Sequence, residues 1–244
     1  MDEWFDLIAA NTELPAGAAE KLGNTGFVVI PGPVENERLA QIADTYDAAV
    51  SGATADDRNT GSTTTRVHDF VNRGPDFDEL YLFEPILAAC CSVIGRPFKL
   101  STMLARTVNP HSPAQGLHVD FQREDDGWPM VGFIIMLDEF RSDNGATRFV
   151  PGSHNWSTTP GDAMKDPGSD LESQLLACSP AGSVIVYNGS VWHGHSANQT
   201  DEPRRSIQGA YIRRDAESGI NLPARMLPET LRRISPLAKY LLGI

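Results

Sequence analysis

Two stretches of the sequence carry side chains able to hold a metal ion. In "GLHVDF", residues 116–121, His118 and Asp120 stand two positions apart between apolar neighbours. On an extended segment that spacing puts both on one face, because strand side chains alternate with period two. A carboxylate buried there is costly unless it is paired or bound to a cation. The second stretch, "SVWHGHSANQTDEPRRSI", supplies His193 and His195. These also share a face, so alternation does not choose between them. Two imidazoles and one carboxylate on one side of a divalent iron leave three coordination positions open, the facial arrangement of non-haem Fe(II) oxygenases.

An arginine stands near this set. If "NQ" at 198–199 is the tip of a two-residue hairpin, His193 lies opposite Arg204 and His195 opposite Glu202. Directly opposed residues have Cβ atoms about 4.5–5.5 Å apart. A guanidinium walled by a sheet beside a metal suits the bidentate grip of a ligand carboxylate. Arg205, its neighbour, points to the opposite face and reads as a solvated charge.

The elements that must position these residues change texture near residue 96. Before it, "AGAAEKLGNTG" and "VENERLAQIADTYDAAVSG" have helical composition and flank the β run "FVVIPG". Residues 51–75 are polar and read as a loop, and "PDFDELYLFEPILAACCSVIG" reads as helix broken near Pro85. After it come short β-like runs separated by Pro, Gly, Asn and Asp turns, the pattern of a sandwich or barrel. Residues 155–175 are too polar for a core and read as a long loop over one end, near the loop at 121–130. The tail, about 222–244, has helix-like apolar spacing and packs against the body.

The bulk numbers narrow the function classes. With 32 acids against 20 bases the formal charge is −12, the wrong sign for a nucleic-acid surface. No apolar run approaches the roughly 20 residues that span a bilayer. The acidic N-terminus does not read as a secretory signal, so the expected location is the cytoplasm. Cys90, Cys91 and Cys178 read as inert core thiols rather than a disulfide scaffold.

The runs "GLHVDF", "DEFRSDNGATRFVPGSH" and "VWHGHSANQTDEPRRSI", in this order and spacing, resemble the phytanoyl-CoA dioxygenase family of Fe(II)/2-oxoglutarate-dependent oxygenases. The likeness runs from "GFVVIPG" to the strand after Arg204. It implies a mainly β fold, a double-stranded β-helix (jelly roll) at about 96–215, with flanking helices mostly in residues 1–95, all in one domain. It implies His118, Asp120 and His193 as iron ligands; the eleven-residue step from His193 to Arg204 matches the family and favours His193 over His195. Arg204 would pair with the distal carboxylate of 2-oxoglutarate, and Met103 stands where the family touches that cosubstrate. The implied reaction consumes 2-oxoglutarate and O2, releases succinate and CO2, and oxidises a small-molecule substrate. An aspartate at position 120, where related halogenases carry a small residue, argues for oxidation rather than halogenation.

Other residues have plainer alternatives. Phe121 and Trp128 could line the substrate mouth or pack as core aromatics, and Arg66 could reach the pocket from its loop or lie exposed. His154 reads as structural, and His68 and His111 as surface residues. Two other functions compete: a cupin-like zinc hydrolase or isomerase, which gives Arg204 no task, and a binding protein without turnover. The acidic balance weakly disfavours a coenzyme A thioester and leaves a small metabolite, plausibly of secondary metabolism, as substrate. Monomer and homodimer are equally compatible with the sequence.

Overall fold

The computed structural model describes residues 2–244. Among these residues ten strands run in chain order as β1 (Phe27–Pro31), β2 (Arg58–Thr60), β3 (Thr64–Val67), β4 (Phe98–Val108), β5 (Met130–Met136), β6 (Thr147–Phe149), β7 (Leu175–Leu176), β8 (Ser183–Asn188), β9 (His193–His195) and β10 (Arg204–Arg213). Seven form one sheet in the order β1-β8-β5-β10-β4-β3-β2, and β7-β6-β9 form a second. Every pairing is antiparallel, and β1 with β8 or β5 with β10 joins strands far apart in sequence. This is the expected double-stranded β-helix.

The large sheet is buried on both faces, which explains the continuous apolar run of β5, "MVGFIIM". Its outer face carries the helices α1 (Glu3–Asn11), α2 (Ala18–Thr25), α3 (Asn36–Ser51), α4 (Asp78–Tyr81) and α5 (Glu84–Val93). Phe98, Leu100, Met103 and Ala105 of β4 belong to that helix-side core. The inner face meets the small sheet through Ile134, Met136, Ile185, Phe149 and Tyr187. Thr102, Leu104 and Arg106 of β4 face this interior, where the sheets part to leave a cavity.

Several expectations need correction. Residues 51–75 are not a plain loop, since β2 and β3 lie within them and extend the large sheet past β4. Polar composition misled here because an edge hairpin need not be apolar. The tail is three short helices, Leu222–Arg225, Pro228–Arg233 and Pro236–Leu242, each with a proline in its first turn that cannot sit inside a longer one. It packs on the body as expected, with Tyr240 Oη donating to Asp2 Oδ2 at 2.9 Å. Cys90 is buried, but Cys178 is exposed. No helix among the described residues is long and apolar enough to cross a membrane.

Candidate active site

"GLHVDF" is not a strand. His118 makes a single two-way bridge to His193, with N–H···O distances of 2.9 and 3.0 Å. The flanking amides are held separately, Leu117 by the Pro167 carbonyl at 2.8 Å and Asp120 by the Gly189 carbonyl at 2.9 Å. The backbone is thus extended and the alternation survives: Leu117 and Val119 pack outward with Val150 and Trp192, while His118 and Asp120 turn inward. His118 Nε2 lies 3.6 Å from Asp120 Oδ1, and His193 Nε2 lies 3.5 Å from Asp120 Oδ2. One ligand atom from each residue falls within 4.8 Å of the others, close enough to share an ion.

The second nitrogen of each ring is already committed. His118 Nδ1 donates to the Gly116 carbonyl at 3.1 Å and His193 Nδ1 to the Val191 carbonyl at 2.9 Å. Each therefore presents the Nε2 lone pair inward, the tautomer a metal needs. Burial pushes the His193 imidazole down to about 4, so it is neutral at ordinary pH. Burial alone would raise the Asp120 carboxyl, but the facing His193, the bond and charge of His118 and the Tyr187 hydroxyl outweigh it and hold the group well below the usual carboxylate range. The set is ready for a cation: two inward-facing imidazole nitrogens and one anionic oxygen donor.

A pH dependence follows for the metal-free protein. His195, like His193, is held down to about 4, mainly by burial. As pH falls below the ordinary histidine value of about 6.5, the unfolded chain takes up protons that these rings refuse until about pH 4. Stability therefore declines across that window, by a total on the order of a few kcal/mol. Thermal melts at pH 7, 6, 5 and 4.5 should show Tm falling throughout; a flat profile would mean that neither ring is held neutral.

Tyr187 was not anticipated. Its hydroxyl donates to Asp120 Oδ2 at 2.8 Å, and burial followed by the adjacent carboxylate keeps it protonated. The ring crosses Gly132 of β5, its register partner, where an added Cβ would lie 2.2 Å from Tyr187 Cζ. Gly132→Ala is therefore expected to displace the tyrosine, to cost about 1–3 kcal/mol as an overpacking change and to loosen Asp120. Calorimetric Tm and Mn(II) titration should fall together. A site with wild-type metal affinity would show that Tyr187 does not hold the carboxylate.

Arg204 lies at the end of a narrow recess of about 50 Å³ behind the triad, lined also by Thr147, His193 and His195. It is 1% exposed. Among the described residues its only side-chain hydrogen bond is a 3.3 Å contact to the neutral Ser206 hydroxyl, and Nε has no partner. The guanidinium lies 4.0 Å from the Phe140 ring centroid. Burial, then the nearby Arg106, lower its pKa to about 9. A buried cation facing a recess without a carboxylate partner fits an anionic ligand admitted through the same opening. The recess opens on a cavity of about 510 Å³ that His118, Asp120 and Tyr187 also line.

The inward aim of Arg204 does not come from the expected hairpin. β9 belongs to the small sheet and β10 to the large one, with residues 196–203 passing between them. His193 is paired with Phe149 and Arg204 with Val108, so neither expected cross-strand pair forms. His195 sits outside the ligand set, its Nδ1 on the Ser196 carbonyl at 2.8 Å. The Met103 side chain is buried on the helix side, and Thr102 and Leu104 take the cavity face. Trp128 lies away from the cavity, its Nε1 donating to the His154 carbonyl at 3.3 Å and its ring beneath Arg123. Phe121 and Arg66 do line the cavity, as does His68, which was expected at the surface. His111 is exposed beside Asp201 and His154 is structural, bonded to the Gly23 carbonyl, both as expected. Arg205 points away from Arg204 but is held by Asp138 and Asp47 rather than merely solvated.

Two further arginines escaped notice because single charges in β runs carry no distinctive spacing. Arg106 bonds Gln115 Oε1 at 2.6 Å and Gln208 Oε1 at 3.3 Å at the cavity floor. Arg148 is fully buried and gathers the carbonyls of Gln115, Pro167, Gly168 and Ser169 together with Asp170. It ties the polar 166–174 segment to the chain just before His118. The 155–175 loop does meet the 121–130 loop, since Gln122–Asp125 and Asn155–Thr159 share the walls of one surface pocket.

The fold has counterparts in known proteins. Dioxygenase cdmA of Talaromyces verruculosus is 38% identical over 108 residues, 41% of this chain and 35% of that protein. Dioxygenase olcK of Penicillium canescens is 30% identical over 199 residues, 75% of this chain and 62% of that protein. The matches thus span less than two thirds of these relatives' own length. The crystal structure of HygX from Streptomyces hygroscopicus with nickel and 2-oxoglutarate bound superposes with a TM-score of 0.67 at 18% identity, covering 84% of this chain and 90% of that one, and so shares the fold. The phytanoyl-CoA dioxygenase (PhyH) family profile matches residues 23–206, a span that holds β1, all three candidate ligands and Arg204, and this chain belongs to that family.

Proposed function

We propose that the protein is a non-haem Fe(II)/2-oxoglutarate-dependent dioxygenase that oxidises a small-molecule metabolite and releases succinate and CO2. One observation carries the reading: a buried guanidinium lacking an acid stands in a recess shared with a two-histidine, one-carboxylate set. His118, Asp120 and His193 would hold iron, and Arg204 the distal carboxylate of 2-oxoglutarate. The bound iron, with 2-oxoglutarate and O2, supplies oxidation at a substrate C–H bond.

The chain's own contribution is placement. The carbonyls of Gly116 and Val191 fix both ring tautomers, and Tyr187 fixes Asp120. Arg204 lies where water is excluded, so a carboxylate that reaches it is held strongly. Asp120 is present and hydrogen-bonded, which favours oxidation over halogenation. A zinc hydrolase would use the triad but leave Arg204 without a task.

Anaerobic addition of Fe(II) and then 2-oxoglutarate should produce a weak visible charge-transfer band, and admission of O2 should release succinate. Tight zinc binding with no O2-dependent succinate would instead establish the zinc reading.

A further inference from the structure

The two halves of the triad are moored differently. His193 belongs to β9, whereas His118 and Asp120 ride on a segment that has one bridge and no strand. What presses that segment against β9 lies on the outer face of the small sheet. Thr147 and Phe149 of β6 face inward, so Arg148 between them points out. Its register partner on β9 is Gly194, between His193 and His195. The glycine leaves room for the crossing backbone: a Cβ there would lie 3.0 Å from the Gln115 carbonyl oxygen and 3.2 Å from that of Gly116. The arginine holds what the glycine admits. Its Nη2 donates to the Gln115 carbonyl at 2.8 Å and to those of Pro167 and Gly168 at 3.2 Å. Nη1 donates to the Ser169 carbonyl at 3.1 Å and to Asp170 Oδ1 at 2.9 Å. Pro167 closes the circuit, its carbonyl accepting the Leu117 N–H at 2.8 Å. Residues 115–117 are thus gripped between β9 and the 166–174 strap, and the Gly116 carbonyl that fixes the His118 ring lies inside the grip. The guanidinium has no exposed surface, and its one ion pair among the described residues reaches an acid that is 79% exposed. Such a burial is costly, and backbone carbonyls of the gripped segment and the strap supply most of its compensation.

We propose that Arg148 is a positioning residue of the metal centre. Acting through the Gln115 carbonyl and the 166–174 strap, it sets where the His118 ring and the Asp120 carboxylate stand relative to His193, and Gly194 is its necessary counterpart. Arg148 hydrogen-bonds none of the three ligands, so its effect is carried by backbone alone. Workable ligand distances vary by only about ±0.2 Å, so a small release of the strap is enough to spoil the site while both sheets stay intact. The inference rests on the oxygenase reading above, in which the triad holds a divalent metal.

The test pairs Mn(II) titration, followed by electron paramagnetic resonance, with hydrogen exchange of the metal-free chain read by mass spectrometry. In Arg148→Ala the Kd for Mn(II) should rise roughly 10–100-fold, the scale of losing a group that orients a ligand. Peptides covering residues 115–121 should exchange faster, while those of β5, β8 and β10 stay protected. Arg148→Lys keeps a charge but loses the planar fork, so it should recover only part of the affinity. Gly194→Ala pushes the same backbone off β9 with Arg148 intact and should weaken Mn(II) comparably. Wild-type affinity in Arg148→Ala overturns the proposal. So does exchange that accelerates equally across both sheets, since Arg148 would then be a general stability residue. Where Arg148→Ala does not fold, Arg148→Lys and Gly194→Ala decide, and an unchanged Kd in both overturns it. Failure of the wild-type protein to bind Mn(II) would instead bring down the oxygenase reading, and the inference with it.

Discussion

Asp120→Ala is expected to leave a folded protein that no longer holds iron. The substitution removes the only anionic donor of the set and leaves two imidazoles, too little to compete with water for a divalent ion. Loss of a group that merely orients a ligand typically costs 10–100-fold in metal affinity. Loss of the ligand itself should cost at least about 100-fold, and turnover with it. The fold should tolerate the change, because the Asp120 side chain is 28% exposed and belongs to a bridged loop rather than to either sheet. His195→Ala is the informative contrast. That ring lies two positions from a ligand but outside the set, so metal stoichiometry should stay at one. Mn(II) titration followed by electron paramagnetic resonance separates the two variants. Wild-type affinity in Asp120→Ala would remove the triad from consideration.

The contrast also shows what the sequence could and could not carry. His118 and Asp120 were legible because extended backbone fixes side-chain direction whether or not a ladder forms. The prediction held although the segment is one bridge and not a strand. Choosing His193 over His195 was beyond alternation, since both face the same recess; the choice came from the family resemblance. Arg204 lines the recess with the triad, but not through the expected hairpin. Its register partner is Val108 of β4 in the large sheet, and no local turn rule reveals that a chain will switch sheets between residues 196 and 203. Met103 came from the family resemblance rather than from strand alternation, and its side chain lies on the helix side of β4. The inward positions of β4 are even-numbered from Thr102 to Arg106, and a slip of one reverses every assignment. Tyr187 could have been suspected from its place near the end of a buried strand, where a polar tip needs a partner. That Arg66 lines the cavity depends on β3 joining the sheet edge, which the polar sequence of residues 51–75 concealed.

Arg204→Met should separate stability from function in opposite directions. In the ligand-free protein the guanidinium is buried, keeps an unpartnered Nε and has only a neutral hydroxyl and the Phe140 face as compensation. Replacing such a cation with an apolar side chain of similar length removes a desolvation cost, and comparable replacements are often neutral or stabilising by about 1–4 kcal/mol. At roughly 2–4 °C per kcal/mol for a chain of this size, the apo Tm should hold or rise by several degrees. Affinity for 2-oxoglutarate should move the other way. Truncating one partner of a buried charge pair costs about 2–5 kcal/mol or more, which is roughly thirtyfold to several thousandfold in Kd. The thermal shift that Mn(II) plus 2-oxoglutarate gives the wild type should therefore nearly vanish, while the shift from Mn(II) alone remains, because Arg204 is not a ligand. Melting curves under the three conditions report all of this on one instrument. A variant that loses apo stability would show that Arg204 is a structural cation satisfied within the fold. One that keeps the 2-oxoglutarate shift would place the cosubstrate's distal carboxylate elsewhere.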